Sequence, residues 1–303
     1  MEGKTALVLS GGGAKGSFQV GALQVLREKG YEFEAISGVS VGSLNGSMLA
    51  TGQFDAMVDV WEGIDASQVL RKNSLLKVAR QFLFYKMGIS DPPVSMNDNA
   101  PLRNLMKNHL MGKKAKVPFH FGYVKLESGE YVNAVIRRTG DHRVDEADID
   151  RVLSSTAIPV MFNPTMIGGM MCVDGGVRNI SPISEVLPYE PDRVIIIPTE
   201  PVKGPKENQE SPDIINIAFR TINILLDEIF QEDISRFLSL NELVRQAESQ
   251  DAVLKKSNGS RYKYIEPVII DPKEPLGSAL NFENDRMHEL MEIGRQRALE
   301  VLE

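Results

Sequence analysis

Residues 6–50 read ALVLSGGGAKGSFQVGALQVLREKGYEFEAISGVSVGSLNGSMLA. Within this block two glycine-rich turns each follow an apolar run and open a helix-like stretch. The first, Gly11-Gly12-Gly13-Ala14-Lys15-Gly16, follows Thr5-Ala6-Leu7-Val8-Leu9, which is too uniformly apolar for a half-exposed strand and reads as a buried one. The second, Gly38-Val39-Ser40-Val41-Gly42, follows Phe33-Glu34-Ala35-Ile36. Strand, turn and helix repeated in this way point to an α/β fold.

In Gly-x-Ser-x-Gly the serine sits on a sharp strand-to-helix turn, with its hydroxyl exposed at the end of a sheet. Gly38 and Gly42 belong there because side chains at those positions would collide across the turn. The following helix points the positive end of its dipole at Ser40, which favours an alkoxide or oxyanion. A plain turn with a serine N-cap satisfies the same letters, and chance supplies them roughly 0.1 times in a chain this long.

The first turn has two readings. Consecutive glycines present backbone amides without obstruction, so Gly11, Gly12 and Gly13 suit an oxyanion hole. Four glycines so placed, Gly16 included, arise about ten times less often by chance than the serine turn. Gly11, Gly13 and Gly16 also satisfy the dinucleotide fingerprint, with Glu32 or Glu34 near its acidic position. A P-loop is excluded, because Lys15 precedes the last glycine and no Lys-Ser/Thr pair follows. Alone, the turn divides evenly between nucleotide cradle and oxyanion hole. Ser40 just downstream favours the second.

The chain has 303 residues, 42% hydrophobic and 25% charged, which suits one large α/β domain or one domain with a substantial insertion. The net charge of −7 argues against nucleic acid as the main partner and against global steering to anionic membranes, while leaving room for a local basic patch. The single cysteine, Cys172, excludes a disulfide framework and a cysteine metal cluster, and reads as a small buried apolar residue. No signal-peptide series and no run of 18 apolar residues is seen, so the expected location is the cytoplasm.

Further along, Ser17–Lys29 and Val41–Thr51 read as helices stopped by Gly30 and Gly52. Residues 54–116 read as mainly helical and irregular, broken at Pro92-Pro93. Within them, 74–87 combine apolar bulk with three cations. A helix covering the core, or a subunit contact, is the first reading, and a lid touching lipid the sharper one. Residues 117–136 and 166–173 read as hairpins, the second delivering Asp174-Gly175-Gly176. Asp148–Thr156 reads as a helix, 193–197 as a buried strand and 199–212 as a linker. The broadly apolar 214–243 reads as a long core helix, with a dimer face or acyl-chain wall as the alternative. Tyr264–Ile270 closes the strands and Glu283–Leu302 the helices.

A serine hydroxyl needs a base. Of the four histidines, His288 is the only one late enough for Ser-Asp/Glu-His order, but it lies among charged helix neighbours. His109 reads as exposed, and His120 as structural within a strand. His142 is the fourth. Asp174 is the better candidate: it ends an apolar strand at a tight Gly175-Gly176 turn, where a carboxylate can face the other strand ends.

Taken in order, these three motifs resemble the patatin-like phospholipases. Gly-Gly-Gly-x-Lys/Arg-Gly is met with Lys15 in the basic slot, the elbow at Ser40 and Asp-Gly-Gly at Asp174. Leu153 to Phe162 is similar to the family's block between elbow and aspartate. The likeness covers residues 4 to 200 well, and the rest loosely. It implies a three-layer α/β/α sandwich with a mainly parallel sheet, forming one catalytic domain over 1–303 with variable helical segments at 54–116 and 199–260. It also implies a Ser40–Asp174 dyad without histidine that hydrolyses phospholipid, lysophospholipid or neutral-lipid esters through an acyl-enzyme. Gly12 and Gly13, with Gly11, would hold the oxyanion, and Lys15 would fix the loop or attract phosphate. No metal or cofactor is expected. The partners to expect are lipid, a membrane surface touched peripherally and a second copy of the chain. Acyl transfer between carriers and a nucleotide-binding module are the alternatives; the first lacks a suitable histidine, and the second leaves Ser40 and Asp174 unexplained.

Overall fold

In the computed structural model, residues 3–73, 75–89, 95–138, 140–204 and 214–303 are described. Pro92-Pro93 and most of the expected linker lie outside them. The central sheet has the path β10 (Glu266–Ile269), β9 (Arg193–Ile197), β1 (Thr5–Leu9), β2 (Ala35–Gly38), β5 (Phe119–Lys125), β8 (Met170–Asp174) and β7 (Thr165–Ile167), with β6 (Tyr131–Ile136) on the other edge of β5. From β10 to β5 every pairing is parallel, whereas β6, β7 and β8 join antiparallel. A separate two-stranded ladder pairs β3 (Arg71–Lys72) with β4 (Asn97–Asp98). It interrupts the stretch read as helical and irregular.

Alternation along the strands builds two cores. Leu7, Leu9, Ile36, Ile195 and Ile197 face one side. There they pack with α1 (Gly16–Glu28), α2 (Val41–Ala50), α3 (Phe54–Gly63), α6 (Ala100–Leu110), α7 (Glu146–Ser155) and α9 (Asn284–Leu302). Ala6, Val8, Val194 and Ile196 face the other, against Phe230 and Ile234 of α8 (Ile214–Ser249). Helices therefore cover both faces, the three-layer arrangement expected. The short α4 (Ala66–Val69) and α5 (Leu75–Lys86) complete the helices named here.

Two differences from expectation have local causes. Helix α7 begins at Glu146 rather than Asp148, because Asp145 caps it: its carboxylate accepts from the Asp148 amide at 2.9 Å. Helix α8 runs on to Ser249 because helix-forming polar residues, including the Glu242–Arg245 pair, carry it past the apolar pattern. Along it Phe230 and Ile234 are core as expected, whereas Ile217, Ile224 and Leu225 are exposed.

Helix α1 is buried on nearly all sides as far as Leu26, wedged between sheet and α9. The two helices cross through reciprocal glycines. A Cβ on Gly21 would fall on the Met291 carbonyl oxygen, and one on Gly294 on that of Phe18. Alanine at either position should therefore lower stability by about 3 kcal/mol in urea titration. Gly63→Ala, where a Cβ meets nothing, should be neutral or stabilising by about 0.5–1 kcal/mol.

Candidate active site

Strand β5 sets the geometry. Strand β6 occupies one of its edges from Phe119 to Val124, so β2 and β8 must share the other. Strand β2 runs parallel to β5 and ends with Gly38 opposite Phe121. Strand β8 runs the opposite way and ends with Asp174 opposite Tyr123. The two C-termini thus converge head-on at Gly122, bringing the turns that follow, Ser40 and Asp174-Gly175-Gly176, to one place. A Cβ on Gly175 would strike the Gly122 carbonyl and the Val39 side chain, so the meeting point has room only for glycine.

Ser40 has φ 54° and ψ −127°, a conformation disfavoured for a non-glycine residue, and stands at the N-terminus of α2. The glycines around it allow the turn. A Cβ on Gly38 would strike the Gly42 carbonyl, and one on Gly42 the Leu9 carbonyl. The end of α7 holds both arms. The Ser40 amide donates to Ser155 Oγ at 3.2 Å, and the Asp174 amide donates to the Ala157 carbonyl at 3.0 Å. These two residues lie in the 153–162 block that the sequence singled out without a role.

Asp174 is 4% exposed. Its Oδ1 accepts from the Gly176 amide at 2.7 Å, while Oδ2 has no partner of full hydrogen-bond geometry. Burial pushes the carboxyl up to about 7, against the smaller opposing pull of the Gly176 amide and the Ser40 hydroxyl. The hydroxyl therefore acts on the carboxylate across a contact that falls short of a well-aligned bond.

The glycine loop closes over the same point. Gly12 and Gly13 have φ 153° and 58°, and a Cβ on either would strike Thr199 or the Ala279 carbonyl. The Gly11 amide is committed to the Ile180 carbonyl at 3.2 Å, which removes it from the three expected donors. The Ala14 and Lys15 amides are likewise bound, to Ala279 and Gly12 carbonyls. Among the described residues, the Gly12 and Gly13 amides meet no acceptor. Lys15 is buried and ion-paired to Glu200, so it ties the loop to the end of β9 instead of offering a free cation.

Sequence reading missed Asp233, midway along a helix read as apolar. Its Oδ2 accepts from the Ile180 and Ser181 amides at 2.9 and 3.0 Å. Ile180 in turn receives the Gly11 amide, and Ser181 Oγ meets Ser10 Oγ at 2.7 Å. Helix α8 thereby steadies the loop from behind.

An apolar cavity with about 770 Å³ of empty space, part of it open to solvent, reaches Ser40 and Gly13. Leu44 and Met48, Trp61, Leu102 and Met106 are among its walls. Half-buried His109 also lines it, contrary to the expected exposure. The other histidines are engaged or distant in role: His120 meets Tyr189 Oη at 2.9 Å, His142 meets Asp148 at 2.7 Å, and His288 is exposed on α9. Among the described residues, no three His, Cys, Asp or Glu side chains gather so as to hold a metal, and no helix is long and apolar enough to cross a membrane.

A family model described as patatin-like phospholipase matches residues 7–187. An NTE-family protein of Mycobacterium bovis is 24% identical over 242 residues, covering 74% of this chain and 58% of that protein. The chain thus spans little more than half the length of that relative. The Bacillus subtilis protein YqhO is 25% identical over 236 residues, 73% of this chain and 78% of its own. Among solved structures, VipD of Legionella pneumophila superposes with a TM-score of 0.54 at 15% identity, over 100% of this chain and 67% of VipD, a likeness of fold.

Two stability measurements check this geometry. The native Asp174 holds its proton up to about pH 7 and the unfolded one only to about 4, so its contribution is full below pH 4 and is lost as pH rises through 7. Asp174→Asn should remove that dependence and be more stable than wild type above pH 7, by up to about 4 kcal/mol in urea titration. Asp233→Leu strands two amides and should cost about 1–3 kcal/mol for each, whereas Asp233→Asn keeps an acceptor and most of the stability.

Proposed function

The chain belongs to the patatin-like phospholipase family, and on that basis we propose that it is a serine lipid acyl hydrolase of phospholipase A or lysophospholipase type. The observation that carries the reading is the head-on approach of β2 and β8, which sets a strained, buried serine at the mouth of the apolar cavity against a buried carboxylate with one unpartnered oxygen.

In this mechanism Ser40 Oγ attacks the ester carbonyl while Asp174 Oδ2 takes its proton. The negative oxygen of the tetrahedral intermediate accepts from the Gly12 and Gly13 amides, with the N-terminus of α2 adding favourable field. The protonated Asp174 gives its proton to the departing alcohol, leaving an acyl-enzyme on Ser40. Water, deprotonated by the same carboxylate, then releases the fatty acid. The apolar cavity that reaches Ser40 suits the acyl chain. The nucleotide alternative is weakened by the loop itself: the Gly11, Ala14 and Lys15 amides are already bound, leaving few to cradle a pyrophosphate. Acyl transfer with a histidine base has only His109 near the cavity to call on.

The test is hydrolysis of a short-chain p-nitrophenyl ester, with each variant checked for folding. Ser40→Ala should abolish turnover and labelling by a fluorophosphonate. Asp174→Asn should lower kcat by about 10²- to 10⁴-fold, and His288→Ala should leave it unchanged. In wild type, kcat/KM should rise with pH and level off above about 7, as Asp174 ionises. Full activity in Asp174→Asn together with loss in His109→Gln would overturn the dyad in favour of a histidine base.

A further inference from the structure

Between Asp65 and Asp91 the chain has no acidic residue and five cations, Arg71, Lys72, Lys77, Arg80 and Lys86, although the whole protein carries −7. The same stretch exposes Phe82, Leu83, Phe84, Tyr85, Met87 and Ile89, each between 37% and 65%. From Phe82 onward this departs from the expectation of a helix covering the core. Soluble surfaces scatter large apolar residues singly, and six within eight positions mark a contact surface. The cations stay with the rings: the Arg80 guanidinium lies 5.9 Å from the Phe84 centroid and Lys86 Nζ 5.5 Å from that of Phe82.

Helix α5 is carried on the β3–β4 ladder, between Val69 and Leu102, both of which line the cavity reaching Ser40. At its return the chain is fastened to the segment before the β7–β8 hairpin: Met96 donates to the Val160 carbonyl at 2.8 Å, and Asn97 to that of Met161 at 2.9 Å. Val160 is exposed, as are Met166, Met170 and Met171 on the hairpin whose far end is Asp174. Two apolar exposures are thus joined by backbone bonds beside the site, while no residue of α5 itself lines the cavity.

We propose that α5 and the tip of the β7–β8 hairpin form the surface by which this protein docks on an anionic phospholipid bilayer. Rings and aliphatic groups would enter the headgroup boundary, while the cations meet lipid phosphates. A second copy docked two-fold on α5 would set these cations against their own images, which disfavours it. A bilayer has the complementary charge. The choice of lipid over an acidic protein rests on the hydrolase reading above; the charge and exposure do not.

The experiment is co-sedimentation with vesicles of phosphatidylglycerol and, separately, of phosphatidylcholine. It is run on wild type, on Arg80→Glu with Lys86→Glu, and on Phe82→Ser with Leu83→Ser, all at exposed positions. Soluble-ester turnover without vesicles serves as the control. Wild type should prefer phosphatidylglycerol and release with salt. The charge reversal should weaken partitioning by at least about thirtyfold, with soluble-ester turnover unchanged in both variants. Equal binding to the two lipids, or variants that bind as wild type does, would overturn the proposal. So would a wild-type dimer that Phe82→Ser with Leu83→Ser dissociates, which assigns the surface to a second copy. Vesicle binding without ester hydrolysis would sink the hydrolase reading and leave the docking surface standing.

Discussion

Everything near Ser40 depends on one edge of one strand. Because β6 fills the other side of β5, β2 and β8 have to share what remains, and two strands of opposite direction on one edge can only meet end to end. Hydrogen-bond register, not side-chain packing, therefore sets the spacing between Ser40 and Asp174. Gly175 marks the join, where a Cβ would strike the Gly122 carbonyl, and a Cβ on Gly122 would itself strike the Tyr131 ring. Parallel sheets commonly gather loops at the carboxyl ends of their strands. Here an antiparallel strand delivers its own carboxyl end to the same rim from the other direction.

Around that join the protein uses buried polar groups as rigid fasteners. Gln19 donates to the Ser10 and Ile197 carbonyls, Asn45 donates to the Gly16 carbonyl and to Gln19, and Trp61 Nε1 donates to Asn45 at 2.8 Å. The chain of bonds ties β1, β9 and the first three helices together beneath the glycine loop. Every member is bonded, so burial costs little while fixing relative position. Asp174 is the exception, a carboxylate with one oxygen unpartnered inside the protein. A buried group left incomplete amid satisfied ones is the usual sign of a place kept for a reactant.

Much of this was legible in the chain. The strands at 5–9 and 193–197, the two hairpins and the capped first helix follow from apolar runs and glycine stops, signals that act locally. The three motifs pointed to one rim because each ends a strand. What the sequence could not carry was long-range. Gly11 pairs with Ile180, Lys15 with Glu200 and Asp233 with residues 180–181, and no local pattern announces a partner so far away. His109 looked solvated beside Lys107 and Asn108, but its place at the end of α6 turns it to the cavity. The apolar runs in α5 and α8 divide for a related reason, Phe230 and Ile234 being core while Phe82, Leu83 and Ile224 are exposed, since hydrophobicity records a preference for burial without saying what does the burying.

The clasp on the glycine loop comes from late in the chain. The Ala279 carbonyl receives the Ala14 amide and crowds Gly13, and the helix that follows locks against α1 through Gly294 and Gly21. During synthesis, then, Ser40 and Asp174 are both made long before the residues that shape the loop beside them. A chain grown only as far as Asp174 holds both residues without the Ala279 contact that closes on Gly13.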